Sequence, residues 1–259
     1  MIIIEGHWMI CSLFGYQSAI CCHKMVKKRV FVVTGSQRGI GYGIVKTLAV
    51  TVPDAIIYMT DMHNCMLQDS MRKLDAEMGK SMKAENQMEE TLNEARLTIA
   101  TNYEGTKLVS QQLFPLMRDG GRVVNIASRS GSIQSYDPQI KAKLSDKAIT
   151  IADVDAYVQD FLTAFEKKEC ASKGYPKSSY RVSKTTVILL ARIWARELAQ
   201  RRIVVNACCP GYVNTDMSRG MSSPLTIEQG ATTPAYLATL QGDEPNGQFV
   251  YLKKVTPWY

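Results

Sequence analysis

Three glycines that follow a β-branched run are the first residues in this sequence with a chemical use. Val30-Phe31-Val32-Val33 reads as a buried parallel strand ending at Thr34, and Gly35, Gly39 and Gly41 follow as G-x-x-x-G-x-G. Glycines let backbone N–H groups approach a pyrophosphate. The helix expected through Ile44, Val45 and Leu48 adds the positive end of its dipole. The spacing departs from the usual G-x-G-x-x-G fingerprint, and a tight turn without a ligand is the plain alternative. The cofactor's ribose is read two ways. Asp61, twenty residues beyond Gly41, would accept from the adenosine ribose and favour NAD(H). Arg38, inside the glycine turn, would hold a 2′-phosphate and favour NADP(H).

Farther along, Tyr180 and Lys184 lie four apart in Ser179-Tyr180-Arg181-Val182-Ser183-Lys184 and share one helix face. Ser128 ends the strand-like run Arg122–Ala127, at the edge where open parallel sheets bind ligands. Pro210-Gly211 opens the loop after a further run, Ile203–Cys208. Singly, each has an ordinary reading: a helix-start aromatic, a surface cation, a strand-end hydroxyl, a turn. His7, His23 and His63 all lie in the first quarter, so neither a Ser-His-Asp arrangement nor a metal site is expected.

The elements that must position these residues follow from periodicity. A helix ends near Val52-Pro53, and Ala55–Met59 reads as the second strand. Gln68–Met78 and Glu85–Ala100 read as helices, with no strand-like run between Asp61 and Asn102. Val109–Met117 continues a helix to a stop at Gly120-Gly121. Gln134–Pro176 is a long insertion with one helix of its own, capped by Thr150 and Asp153. The Tyr180 helix runs to about Gln200, Glu228–Leu240 forms another, and Gln248–Leu252 is a last strand. Residues 26–259 read as one domain, and residues 1–25 as an extension outside the core.

Composition bounds the rest. The chain has 259 residues and a net charge of +7, but its cations are scattered among acids, so no nucleic-acid partner is expected. The apolar residues before Met25 are too short and broken a run to span a bilayer, and no membrane association is expected. Seven cysteines without a C-x-x-C fit a reducing, cytoplasmic setting.

Taken together and in this order, T-G-x-x-x-G-I-G at Thr34–Gly41, Ser128, Tyr180-x-x-x-Lys184 and Pro210-Gly211 resemble the short-chain dehydrogenase/reductase family. The run Asn206–Met217 and the insertion before Tyr180 look closest to its monomeric carbonyl reductases. The resemblance covers roughly residues 28–62 and 100–259.

It implies a Rossmann-type doubly wound parallel sheet with helices on both faces. It also implies reduction of an aldehyde, ketone or quinone by hydride from NADPH. By this resemblance Tyr180 donates the proton, its pKa eased below the free value of about 10 by the Lys184 charge. Lys184 holds the nicotinamide ribose, and Ser128 steadies the substrate oxygen. Asn102 seats a water of the proton relay. Gly35, Arg38, Gly39, Ile40, Gly41 and Asp61 meet the adenosine and phosphates, while Pro210, Gly211, Val213 and Thr215 meet the carboxamide end. The partner is then a small carbonyl compound, and the insertion implies a monomer.

The sequence departs from the family in two places. The N-N-A-G loop that ends the fourth strand is not found, nor is the acidic residue after the third. Only 41 residues run from Asp61 to Asn102, where about 75 are expected. The sheet is therefore expected to lack one or two strands. An inactive variant that binds nucleotide or a partner is the alternative reading.

Overall fold

Five of the runs read as strands join one sheet, and two further short strands complete it. The structure is a computed structural model that describes residues 2–6, 29–36, 38–60, 90–215, 218 and 225–259. Its strands are β1 (Ile2–Gly6), β2 (Val30–Thr34), β3 (Ile56–Thr60), β4 (Arg122–Ile126), β5 (Val204–Cys209), β6 (Phe249–Tyr251) and β7 (Lys254–Val255). Their order across the sheet is β3-β2-β1-β4-β5-β6-β7.

Strands β2 and β3 pair in parallel, as do β4, β5 and β6. β1 runs antiparallel to both its neighbours: Ile3 lies opposite Val33 on one side and Val124 on the other. Residues 1–25 are expected outside the core, and here Ile2–Gly6 form an interior strand, third of the seven. The doubly wound parallel sheet expected is thus present with one antiparallel strand in its interior. The gap left by the absent unit is there, and a β-branched run from the other end of the chain fills it. The short antiparallel hairpin strand β7 is also unforeseen.

The covering helices are α1 (Gly39–Thr51), α2 (Leu92–Ile99), α3 (Gly105–Leu113), α4 (Pro138–Ser145), α5 (Ile151–Glu166), α6 (Ser179–Glu197) and α7 (Ile227–Thr239). Successive strand residues face opposite cores, as a sheet covered on both faces requires. Val123, Val205 and Ala207 meet Phe161, Ile188 and Trp194 on one face. Val124, Ile126 and Cys208 meet Ile44, Leu48 and Leu237 on the other.

Helix α6 is buried nearly all round because Val187-Ile188-Leu189-Leu190 interrupts any polar stripe. Thr150 and Asp153 cap α5 reciprocally, as read from sequence. Helix α4 was not expected, although Asp137 before Pro138 is a legible start signal. The expected helix at Gln68–Met78 lies outside the described residues, and of Glu85–Ala100 the helix begins only at Leu92.

If β1 holds the centre of the sheet, Ile4→Pro removes a ladder hydrogen bond there. It should lower stability by about 1–3 kcal/mol. Urea unfolding of the variant checks this, and an unmoved midpoint would place Ile4 outside the sheet.

Candidate active site

Tyr180 sits in the first turn of α6, where the helix begins against the carboxyl edge of the sheet. Ser178 caps the helix by accepting from the Arg181 N–H at 3.4 Å. Glu90 reaches the same turn, accepting from the Ser179 N–H at 3.1 Å and from its hydroxyl. That carboxylate suits the positive end of the helix dipole. No local signal near Tyr180 could have revealed it, since it arrives from 89 residues away.

One turn on, Lys184 donates from Nζ to the carbonyl of Ile126 at 3.1 Å, and Nζ lies 5.6 Å from the centre of the Tyr180 ring. Ile126 ends β4, two residues before Ser128. The short turn after Ser128 lies directly on the backbone of α6. A Cβ on Gly131 would stand 2.6 Å from the Lys184 carbonyl carbon, so only glycine fits. Thr185 donates to the Gly131 carbonyl at 3.0 Å and fixes this contact. Ser128 is thereby held beside Tyr180. Asn102 lies in a π-helical turn, Ala100–Glu104, an irregularity common at functional sites. Its amide donates to Ser183 Oγ at 3.0 Å, and Ser183 donates to the Tyr180 carbonyl at 2.8 Å. Asn102, Ser128, Tyr180 and Lys184 therefore meet around the start of α6.

Burial shapes the electrostatics of this group. Loss of solvent raises the Tyr180 pKa, and the Ser128 hydroxyl pulls it partly back. The expected easing of the phenol below its free value is not realised: partial loss of solvent outweighs the Ser128 hydrogen bond, although the residue keeps 37% of its surface exposed. Loss of solvent also lowers Lys184, from 10.5 to about 8. Both groups are thus pushed towards their neutral forms. Cys208 and Cys209 are buried behind them, and burial raises the Cys208 thiol.

The glycine turn meets the needs of a phosphate cradle. Gly35 and Gly39 take positive φ, 63° and 54°. A Cβ on Gly41 would stand 2.0 Å from the Gly35 carbonyl oxygen. The first turn of α1 bonds from the Tyr42 N–H to the Arg38 carbonyl at 3.3 Å, which leaves the amides of Gly39, Ile40 and Gly41 ahead of it for an anion. Arg38 is the exposed N-cap residue. Ser36 ties the turn to the tip of β3 by donating twice to the Thr60 carbonyl, each at 3.2 Å.

The loop after β5 closes over the same edge. Thr215 approaches to 3.4 Å of the place a Gly39 Cβ would take. Val213 bridges Leu225, and Gly211 turns with φ 91°. The structure therefore brings Gly35, Arg38, Gly39, Ile40, Gly41, Pro210, Gly211, Val213 and Thr215 to one sheet edge with the Tyr180 group. Asp61 lies outside the described residues. Between the two halves, β1 starts at this edge instead of ending there, so its carboxyl end lies at the opposite edge of the sheet.

Comparison with known proteins points one way. A family model described as enoyl-(acyl carrier protein) reductase matches residues 162–247. Carbonyl reductase (NADPH) 1 of Oryctolagus cuniculus is 34% identical over 276 residues, covering 89% of this chain and 99% of that protein. Carbonyl reductase (NADPH) 1 of Rattus norvegicus is 39% identical over 173 residues, covering 64% of this chain and 62% of that protein. Among solved structures, salutaridine reductase from Papaver somniferum superposes with a TM-score of 0.67 at 24% identity, covering 85% of this chain and 98% of that one. The NADPH-bound carbonyl reductase from chicken fatty liver superposes with a TM-score of 0.55 at 21% identity, covering 88% and 93%. These two establish the fold.

The half-buried lysine gives a pH test. Below about pH 8 Lys184 is charged in both the folded and unfolded states, and its burial weighs fully against folding. Between about 8 and 10.5 the folded protein releases a proton that the unfolded chain keeps, so stability rises with pH through that window. Lys184→Met removes this dependence. The variant's stability relative to the parent should fall by on the order of 1–3 kcal/mol between pH 7 and pH 10 in urea titrations. A difference that stays flat would mean that the ammonium is solvated.

Proposed function

The chain belongs to the short-chain dehydrogenase/reductase family, and we propose that it is an NADPH-dependent carbonyl reductase. The observation that carries this reading is the Tyr180 phenol held beside Ser128, with Lys184 one turn away, at the sheet edge shared with the glycine turn. Bound NADPH supplies the hydride. The chain's own residues supply orientation and the proton. Ser128 donates a hydrogen bond to the substrate oxygen and stabilises charge as it develops there. Tyr180 delivers its phenolic proton to the same oxygen. Its raised pKa keeps that proton in place at neutral pH, which favours reduction. Asn102, braced on Ser183, seats the water that returns a proton towards Tyr180.

The amides of Gly39, Ile40 and Gly41 hold the pyrophosphate. Arg38 at the mouth of that turn supports NADPH over NADH, in line with the names of the relatives. Aldehydes, ketones and quinones are the substrates proposed. The free, buried Cys170, Cys208 and Cys209 support a cytoplasmic setting. No helix among the described residues is long and apolar enough to cross a membrane.

A monomer is proposed because the insertion covers α2 and α3. Asp155 of α5 accepts from the Tyr103 hydroxyl and from Lys107, both at 2.6 Å, and so ties the insertion to these helices. Sedimentation should give the mass of one chain, and a dimer would show that this face is not the barrier to association.

One observation favours the second reading, a nucleotide-binding protein without turnover: β1 takes the place of the family's fourth strand and its ribose-facing loop. NADPH oxidation with an aldehyde or quinone separates the two. Tyr180→Phe should lower kcat by about 10²- to 10⁴-fold while NADPH still binds. Binding without turnover in the parent protein would leave only the second reading.

A further inference from the structure

Arg129 immediately follows Ser128 and is exposed at the mouth of the site. Its guanidinium carbon lies 4.6 Å from the centre of the Tyr251 ring. Tyr251 ends β6, and its ring comes within 3.8 Å of the place a Gly211 Cβ would take. Arg129 therefore reaches from the Ser128 turn to the Tyr251 ring beside the loop after β5, its guanidinium over that ring. Among the described residues its N–H groups have neither a carbonyl nor a carboxylate partner. Other arginines in the fold are spent differently: Arg122 donates to the carbonyls of Gly120, Gly121, Leu240 and Gly242. Arg181, next to Tyr180, also lacks an acidic partner there and donates to the carbonyl of Ser130, the residue after Arg129, and to the Ser135 hydroxyl. Two cations thus flank the two catalytic side chains, with no acid paired to them among the described residues.

We infer that Arg129 is a specificity-determining residue that favours carbonyl substrates bearing a carboxylate. A guanidinium stacked on an aromatic ring keeps its N–H edge pre-organised for bidentate contact with a carboxylate. The anchor is one residue from the hydroxyl that would hold the reacting oxygen, so the acid and the carbonyl belong to one small molecule.

The inference rests on the reductase reading, and the test separates the two. The substrates are 4-carboxybenzaldehyde and its methyl ester, reduced with NADPH by the parent protein, R129Q and R129K. The acid-to-ester ratio of kcat/KM should fall about tenfold in R129Q, through KM and not kcat, and recover in part in R129K. Calorimetry with 4-(hydroxymethyl)benzoate should show a dissociation constant about tenfold weaker in R129Q, whether or not turnover occurs. Turnover of neither aldehyde sinks the reductase reading, while the calorimetry still decides on Arg129. An unmoved ratio with an active enzyme overturns the Arg129 inference alone. So does a rise in the KM for NADPH with the ratio unchanged, or failure of the benzoate to bind the parent protein.

Discussion

Strands β2 and β4 each turn a row of backbone N–H and C=O groups towards the same narrow space. Phe31, Val33, Val123 and Val124 are all essentially inaccessible, so water cannot satisfy those rows. Each buried group left without a partner costs about 1–3 kcal/mol. A few of them would cancel the 5–15 kcal/mol by which a domain of this kind is stable. Some strand must therefore occupy the space, and its direction matters less than its presence. Antiparallel ladders are at least as stable per residue as parallel ones. This is why Ile2–Gly6, with three β-branched residues in succession, can stand where the family has a parallel strand.

Direction does matter for the site. A parallel strand would end at the carboxyl edge and carry its loop over the adenosine ribose, whereas β1 begins there. The Tyr180 group does not depend on that loop. Ser128 is set by β4 and by the contact of Gly131 with α6. Tyr180 and Lys184 are set by α6 itself, whose start is secured by Ser178 and Glu90. The glycine turn is set by β2, α1 and the Thr60 carbonyl. Each of these supports lies to one side of the central space, so both halves of the site keep their shape across it.

Where the chemistry was legible in sequence, period and punctuation carried it. Val30–Thr34 and Val204–Cys209 are apolar runs bounded by turn residues, and both became buried strands. Thr150 and Asp153 announced α5, and Tyr180-x-x-x-Lys184 needed only helical spacing. What stayed hidden depends on partners distant in the chain. Nothing near Ile2 says that it lies opposite Asn125, because three isoleucines fit any apolar slot. Nothing near Ser179 names Glu90. The raised Tyr180 pKa was hidden for the same reason. Spacing shows that an ammonium is near, whereas the solvent lost by the phenol is a property of the assembled fold.

The altered centre of the sheet bears on binding and on chemistry unequally. Contacts to the adenosine half of a dinucleotide are the same before and during hydride transfer. They set how tightly the cofactor is held and leave the barrier alone. In the proposed reaction, proton delivery would depend instead on the distances among Tyr180, Ser128 and the substrate oxygen, and the Gly131 contact holds the Ser128 turn against the Tyr180 helix. For the proposed reaction, replacing the ribose-facing loop therefore weakens cofactor affinity first. In the same proposal, the amides of Gly39, Ile40 and Gly41 would retain the contact with the pyrophosphate, the part of the cofactor with the most charge to hold. A reductase with this sheet would thus differ from its relatives in the cofactor concentration it needs more than in the geometry of its proton transfer.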